Sequence, residues 1–257
     1  TNTVTTAGDA STSGHGIYIW GAQLEESSTV GEYVKTTDTI NSAPRFDHDP
    51  ETGESLGLLV EESRENLLTY SEDLSSWQGG GAKNLDSSVT DPAGNTGTVY
   101  YPSISESYKV FDANGATQVA ISCFVKQRSG ETTDAQMEVF QSVAGTIVYL
   151  GGISLPFTGI FAPGGNFSNG TRTEYPNGWY RFTFLANADP AQGTGTFTTT
   201  GRVDIEGGVS TNYVWGLQVE AGSFPTSYIR TNGSTKSRNP DITQISGNDF
   251  GTFNLLQ

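Results

Sequence analysis

The stretch Tyr213-Val-Trp-Gly-Leu-Gln-Val-Glu220 has a close counterpart far upstream, Tyr18-Ile-Trp-Gly-Ala-Gln-Leu-Glu25. Both copies continue into a serine and then a tyrosine, an aliphatic residue, a basic residue and a threonine. So many matches in one order are typical of an internal repeat. A second echo, Asn66-Leu-Leu68 and Asn254-Leu-Leu256, marks the other end of the repeated unit. The unit therefore opens on Asn-Leu-Leu and closes on the Trp-Gly-x-Gln-x-Glu tract.

These two markers divide the chain into four predicted parts. Residues 1–43 are predicted to be the C-terminal strands of a preceding β-sandwich module, 44–65 a connecting β-hairpin, 66–242 a complete jelly-roll β-sandwich, and 243–257 a linker and the start of a following module. The sequence therefore predicts a piece of a longer tandem array.

The composition favours strands over helices. The chain has 13 Phe, 11 Tyr, 4 Trp and only one Met in 257 residues, and aromatic residues are enriched in strands. Strand candidates are 98–101, 108–111, 118–127, 135–143, 146–155, 179–186, 201–206 and 212–220, and Gly, Pro, Asn or Asp punctuate almost every gap. Strands at this spacing without amphipathic helices predict an all-β fold, an antiparallel β-sandwich of the jelly-roll type.

Local patterns predict a hairpin and part of the core. The runs 44–49 and 56–61, separated by Pro50-Glu-Thr-Gly53, are typical of a hairpin that docks one module onto the next. In the strand that begins at Trp179, alternation places Tyr180, Phe182 and Phe184 on one face, and this triplet is predicted to be core. Trp215 is predicted to join the same core. Cys123 lies in an alternating apolar run and is predicted to be a core thiol.

The charge argues against two classes of partner. A formal charge of −15 with a pI near 4.3 opposes binding to nucleic acid, because that binding needs clustered Lys and Arg to displace counterions. No apolar run approaches the length of a membrane span, and the amino terminus shows no secretion signal. We therefore expect no nucleic-acid partner and no membrane insertion.

Catalysis has weak support. Glu25 and Glu220 each follow a strand that carries a Trp, and Asp204 with Glu206 could supply the second carboxylate that glycoside hydrolysis needs. The duplication of the whole tract favours a structural role, in which these side chains close the sandwich through hydrogen bonds. The two histidines lie in different segments, which argues against a zinc site or a catalytic triad. We therefore expect no catalytic residues and no enzyme activity.

Asp47 and Asp49 form the one metal candidate. They flank His48, and alternate strand positions would point both carboxylates to one side, as a hard cation requires. The alternative is that each Asp caps the turn of the hairpin. The sequence leaves both open, and no cofactor other than a structural calcium ion is expected.

Aromatic residues are the candidates for sugar binding, because a planar ring stacks on the apolar face of a pyranose. The candidates are Trp77, Tyr100, Tyr101, Tyr108 and Trp179. Core packing is the alternative for each of them. Trp179 follows a Pro-Asn-Gly turn at the start of a strand, where it could equally plug the end of the sandwich.

The ordered motifs carry a family resemblance. They are Asn66-Leu-Leu-Thr-Tyr-Ser71, Ser122-Cys-Phe-Val-Lys126, Asn177-Gly-Trp-Tyr-Arg181, the tract from Tyr213 and Thr226-Ser-Tyr-Ile-Arg-Thr231. In this order they resemble jelly-roll modules of bacteriophage virion proteins, which are similar to carbohydrate-binding or concanavalin-type sandwiches and occur in tail fibres, tail spikes and capsid-surface proteins. The connector from Arg45 to Glu62 is similar to a segment between such modules in marine phages.

The resemblance implies a non-enzymatic structural component of a virion, in a tail fibre or surface appendage that recognises host surface glycan. A capsid decoration or cement protein without a ligand is the first alternative, and a polysaccharide depolymerase is the second. Virion appendages use symmetric assemblies, so the expected partners are copies of this chain, as a trimer before other states, together with other virion proteins. The expected location is the virion.

Overall fold

The computed structural model describes residues 45–103, 106–143, 145–193, 195–197, 201–206 and 211–241. From Phe46 onward these residues belong to one compact unit. The upstream repeat copy, Tyr18–Glu25, and the second Asn-Leu-Leu motif at Asn254 lie outside the described residues, as do the two partial modules. The tandem array and its boundaries therefore stay predictions.

Strands dominate the described residues. They are β1 (Arg45–His48), β2 (Ser55–Leu59), β3 (Arg64–Asn66), β4 (Ala82–Leu85), β5 (Tyr100–Ser103), β6 (Glu106–Phe111), β7 (Gln118–Lys126), β8 (Ala135–Val143), β9 (Thr146–Leu155), β10 (Phe167–Tyr175), β11 (Trp179–Asn187), β12 (Gly201–Glu206), β13 (Tyr213–Ala221) and β14 (Lys236–Arg238). Short 3-10 turns occupy Leu74–Ser76, Pro176–Gly178 and Pro190–Gln192. None of the helical segments described here has the length and apolarity needed to cross a membrane.

Two antiparallel sheets make the sandwich. One has six strands in the order β10-β11-β7-β13-β5-β4, and the other has four in the order β6-β12-β8-β9. Two smaller sheets pair β1 with β2 and β14 with β3. The predicted all-β antiparallel sandwich is confirmed. β1 and β2 pair with each other, and the role of this hairpin as a connector between modules stays a prediction.

The main core lies between the two sheets. Phe182 and Phe184 are fully buried there, which confirms the aromatic face predicted for β11. Met137 on β8 and Val203 on β12 meet them from the other sheet. Cys123 belongs to the same core, as predicted, and burial raises the pKa of its thiol to about 12.

A second apolar cluster covers the outer face of the six-stranded sheet. Phe124 lies between core residues of β7, so alternation turns it away from the main core, where its ring meets that of Trp215 at 5.4 Å between centroids. Tyr228, from the segment after β13, packs on Trp215 at 4.9 Å. Trp215 is therefore buried as predicted, but the prediction that it joins the inter-sheet core is wrong.

A bulge in β13 explains this placement. Trp215 pairs with Phe124 and Gln218 with Ser122, so β13 has one residue more than β7 between the two pairs. Gly216 adopts φ +62° at this point, in the left-handed region that favours glycine. The extra residue lets Trp215 and Gln218 share the outer face, which simple alternation would forbid.

Asn66 joins three segments at this face. Its Nδ2 donates to the carbonyl oxygens of Leu217 (3.2 Å) and Ile229 (2.9 Å), and its Oδ1 accepts from the amides of Leu68 (3.1 Å) and Val219 (3.2 Å). The side chain is fully buried. We call these four hydrogen bonds the Asn66 clasp.

The polar residues of the tract hold the segment that returns over the sheet. Gln218 Oε1 accepts from the amide of Ile229 at 2.6 Å, and Glu220 Oε2 accepts from the amide of Thr226 at 2.9 Å. This confirms the structural role that the sequence favours for Glu220.

Sequence patterns missed the two edge strands of the six-stranded sheet. β10 is an edge strand whose Ser, Asn, Gly and Thr residues are largely exposed, and it lacks the apolar alternation of its neighbour β11. β4, at the other edge, is short and partly exposed. Such strands form because a neighbour supplies a hydrogen-bonding edge, which local composition does not show.

We predict that Asn66→Ala lowers the free energy of unfolding by about 3 kcal/mol or more, because it leaves several buried backbone groups without partners. Asn66→Asp should also destabilise, since a carboxylate cannot donate to the two carbonyls. Urea unfolding measures both effects. The exposed Asn95 provides the control, and Asn95→Ala should change stability by less than about 0.5 kcal/mol. A cost below about 1 kcal/mol for Asn66→Ala would contradict the clasp.

Candidate functional site

The outer face of the four-stranded sheet is the candidate site. Val203 and Ile205 on β12 are buried in the core, so alternation turns Arg202 and Asp204 outward. The register places Arg202 between Val110 and Phe140, and Asp204 between Tyr108 and Glu138. We call this face the platform. It comprises a ring row (Tyr108, Val110, Arg202, Phe140, Tyr149) and an acidic row (Glu106, Asp204, Glu138).

The ring row crosses the sheet as a continuous stack. The guanidinium carbon of Arg202 lies 3.8 Å from the ring centroid of Tyr108 and 4.7 Å from that of Phe140. Phe140 meets Tyr149 on β9 with 5.3 Å between centroids. Four strands at about 4.8 Å spacing give this row a length of about 14 Å. Planar groups therefore line a band long enough for an extended ligand.

Tyr149 is the most open ring of the row, with 49% of its surface exposed. A Cβ atom at Gly152 would lie 2.9 Å from the Tyr149 hydroxyl oxygen. The missing side chain at Gly152 thus lets the ring lie along the sheet surface. An aromatic face in this orientation can stack on a flat ligand.

The acidic row lies beside the rings. Arg202 Nε donates to Asp204 Oδ1 at 2.6 Å, and Nη2 contacts both Asp204 Oδ2 and, at 3.0 Å, Glu106 Oε2. Glu138 pairs across the strands with Asp204 and is partly exposed. Two carboxylates therefore bond to one guanidinium, and a third lies beside Asp204.

The pKa values of Arg202 and Asp204 are both raised, for different reasons. Asp204 is fully buried, and burial raises its pKa to about 6, although the hydrogen bond and charge of Arg202 act in the opposite direction. Burial acts to lower the pKa of Arg202, but the hydrogen bond to Asp204 and the nearby negative charges outweigh it and raise that pKa. Arg202 stays a fixed cation, whereas Asp204 can take up a proton near pH 6.

The two tryptophans predicted to bind sugar are buried. Trp179 is 0% exposed and its indole donates to the carbonyl of Thr90 at 2.9 Å. Trp77 is 4% exposed and donates to the carbonyl of Tyr70 at 2.8 Å. Neither ring has a free face, so the sugar-stacking prediction is wrong for both, and core packing explains them.

The two tyrosines of β5 are partly exposed but do not join the platform. The Tyr100 hydroxyl donates to Asp73 at 3.1 Å, and the residue lines a small cavity of about 200 Å³. The guanidinium carbon of Arg128 covers the Tyr101 ring at 4.1 Å from its centroid. Among the aromatic candidates from the sequence, Tyr108 is the one that the structure places on the platform.

Asp47 and Asp49 both accept hydrogen bonds from backbone amides of the β1–β2 hairpin. Asp49 Oδ1 accepts from the amides of Glu51 (2.9 Å) and Thr52 (2.7 Å), and Asp47 Oδ1 accepts from the amide of His48 (3.0 Å). The bonds from Thr52 and Glu51 lower the pKa of Asp49. No group of three or more His, Cys, Asp or Glu side chains in the described part of the chain could hold a metal ion. These contacts favour the turn-capping alternative, and calcium stays an untested prediction.

The carboxylates considered for catalysis are separated. Glu220 faces outward from the six-stranded sheet and is bonded to Thr226, whereas Asp204 faces outward from the four-stranded sheet. The two residues therefore lie on opposite outer faces of the sandwich and cannot flank one substrate.

A second concavity of about 490 Å³ lies between the β1–β2 hairpin and the outer face of β10 and β11. Thr171, Thr173, Thr183 and Arg181 line it from the sheet, and Phe224 lines its rim. It has hydroxyl groups but no row of open rings. The platform is the stronger candidate for a flat ligand.

Six platform residues escaped sequence analysis: Glu106, Val110, Glu138, Phe140, Tyr149 and Arg202. All six lie on strands that the sequence predicts at least in part. The bulge in β9 turns Tyr149 outward although it is an even number of residues from the buried Ile153, so alternation does not find it. For Phe140 and Arg202, alternation does assign each side chain to the face opposite the core residues of its strand. That signal was available, but it does not show that β12, β8 and β9 are neighbours.

Comparison with known proteins adds a distant structural similarity. No protein-family model matches the chain, and neither does any curated protein. Among solved structures, the chain is similar to the CBM22-1 and GH10 modules of a Clostridium thermocellum endo-1,4-beta-D-xylanase 10B, complexed with xylohexaose, with 13% sequence identity and a TM-score of 0.37. The match covers 66% of this chain and 30% of that one, so it spans less than a third of the xylanase structure.

We predict that Asp204 makes stability depend on pH. Its folded-state pKa is raised, so protonation between pH 7.5 and 5.0 occurs in the folded state first and stabilises it. Relative to Asp204→Asn, the wild-type protein should gain about 1 kcal/mol on this acidification. Urea unfolding of both proteins at the two pH values gives the difference. A wild-type advantage that stays constant or shrinks towards pH 5.0 would contradict the raised pKa.

Proposed function

We propose that this chain is a non-enzymatic, glycan-binding structural component of a bacteriophage virion, in a tail fibre or surface appendage. The platform is its binding face. Host surface polysaccharide is its ligand, and the β-sandwich presents the platform.

The ring row is the observation that carries the binding proposal. Tyr149 is open to solvent, Tyr108 and Phe140 are partly exposed, and Val110 adds exposed apolar surface. Contiguous exposed apolar surface of this kind is typical of interaction sites, whereas single exposed apolar residues are not. Sugars bind such faces because their C–H groups stack on rings while their hydroxyls bond to neighbouring polar side chains. The adjacent carboxylates supply the hydrogen-bond acceptors.

The geometry favours binding over cleavage. Glycoside hydrolysis needs an acid that reaches the leaving oxygen and a second carboxylate across the bond. Asp204 has a raised pKa, but it is fully buried and held by Arg202. It therefore cannot approach a glycosidic oxygen, which weighs against the depolymerase alternative.

The sequence resemblance supports the virion part of the proposal. An assembly of several copies, with a trimer as the first expectation, would present several platforms to one surface. Avidity of this kind can raise modest single-site affinity by a factor of roughly 100 to 10,000. Weak binding by each module is therefore sufficient for host attachment.

We predict that Tyr149→Ala weakens glycan binding by about tenfold, because removal of one stacking ring costs about 1 kcal/mol or slightly more. A glycan array identifies a ligand, and calorimetry on that ligand measures the change. Phe224→Ala is the matched control, since Phe224 is 46% exposed but lies off the platform. Loss of binding in the Phe224 variant with retention in the Tyr149 variant would place the site beside the hairpin instead.

Gly152→Ala tests the same prediction without deleting the ring. The new methyl group would push the Tyr149 hydroxyl from its place and tilt the ring, which should weaken binding several-fold. Gly164→Ala is the control, because a Cβ there meets nothing within 4 Å. Equal affinity of the two alanine variants would show that the orientation of the Tyr149 ring is unimportant.

We expect antibodies raised against residues 66–242 to label intact particles of the phage that encodes this chain. Electron microscopy of gold-labelled virions locates the epitope. Label on tail appendages supports attachment, whereas uniform label on the capsid together with an empty glycan array would favour the decoration protein. Purified particles without label would contradict the virion assignment.

A further inference from the structure

We infer that the platform selects uncharged glycans and rejects those that carry carboxylate or sulfate groups. This inference rests on the proposed function, because it concerns the ligand of the same face.

The acidic row sets the sign of the field at the rings. Glu106 and Glu138 are partly exposed, and Asp204 lies between Tyr108 and Glu138 across the strands. Residues two apart along a strand are separated by about 7 Å, so a sugar stacked on the ring row lies within reach of these carboxylates. This distance is shorter than the Debye length of about 8 Å at physiological salt, so salt does not screen their repulsion fully.

Arg202 neutralises one of the three carboxylates and leaves the acidic row with a net negative charge. Its Nε and Nη2 bond to Asp204 and Glu106, and the rings of Tyr108 and Phe140 cover its two faces. Only 17% of the side chain is exposed. An anionic sugar that bound to Nε or Nη2 would displace Asp204 or Glu106, and displacement of Asp204 would leave a buried carboxylate without its partner.

Neutral sugars are attracted by the same carboxylates that repel an anionic sugar. Their hydroxyl groups are donors, and an ionised carboxylate is an acceptor that forms stronger hydrogen bonds than a neutral group does. Glu106 and Glu138 can therefore bond to the hydroxyls of a pyranose that stacks on Tyr149 or Phe140. The same two residues attract a neutral ligand and repel an anionic one.

The test compares matched glycans on the full chain. The array carries each neutral oligosaccharide beside its uronate or sulfated counterpart, and calorimetry then measures both members of the pair that binds best. We expect the anionic member to bind at least about tenfold more weakly at 0.15 M salt, and this ratio to shrink at 1 M salt, where the Debye length is about 3 Å.

Two charge variants locate the discrimination. The double variant Glu106→Gln, Glu138→Gln keeps the shape of the side chains and should bring the ratio of the two dissociation constants close to one. Glu65→Gln removes an exposed carboxylate from β3, off the platform, and should leave the ratio unchanged. An equal response in both variants would assign the effect to net charge and overturn the inference.

The outcomes separate this inference from the proposed function. Neutral hits with weak anionic counterparts support both. Anionic glycans that bind as well as neutral ones overturn the inference and leave glycan binding intact. A chain that binds no glycan in either class overturns both.

Discussion

The buried amide of Asn66 is the constraint on which the sandwich depends. Its four hydrogen bonds tie the start of the module to β13 and to the returning segment near Ile229. A buried amide is stable only when its donors and acceptors all have partners, so the three segments must come together at once. The clasp therefore couples the two ends of the module, which are distant in sequence.

β13 places side chains in the main core from one face and in the outer cluster from the other. The Asn66 clasp and the bulge at Gly216 make this possible. Leu217 and Val219 enter the main core, while Trp215 and Gln218 face outward beneath the returning segment. The extra residue at Gly216 makes this division possible. In β13 the pattern Trp-Gly-x-Gln-x-Glu therefore has a physical meaning, since Trp215, Gly216, Gln218 and Glu220 all help to cover the outer face of the sheet.

Closing one outer face leaves the other available. The second apolar cluster and the returning segment cover the central part of the outer face of the six-stranded sheet, with a concavity left over β10 and β11, and the ring row of the four-stranded sheet stays partly open. Open rings on a sheet carry a solubility cost, and the acidic row offsets it with charge. Arg202 packs against the rings of Tyr108 and Phe140 and neutralises the buried Asp204. The proposed ligand choice thus rests on side chains that also stabilise the sheet.

Alternation in the sequence identified most of the long strands and the aromatic core face of β11, because those features depend on which side of its own strand a residue occupies, and the duplicated tract indicated the structural role of Glu220. Tertiary structure decided the rest. Trp179 was predicted to meet sugar but is buried, since its indole bonds to Thr90 in a distant loop. Arg202, Phe140 and Tyr149 form one surface only because β12, β8 and β9 pair in a particular register. A local pattern reports the side of a strand, whereas long-range contacts determine its neighbours and whether anything covers it.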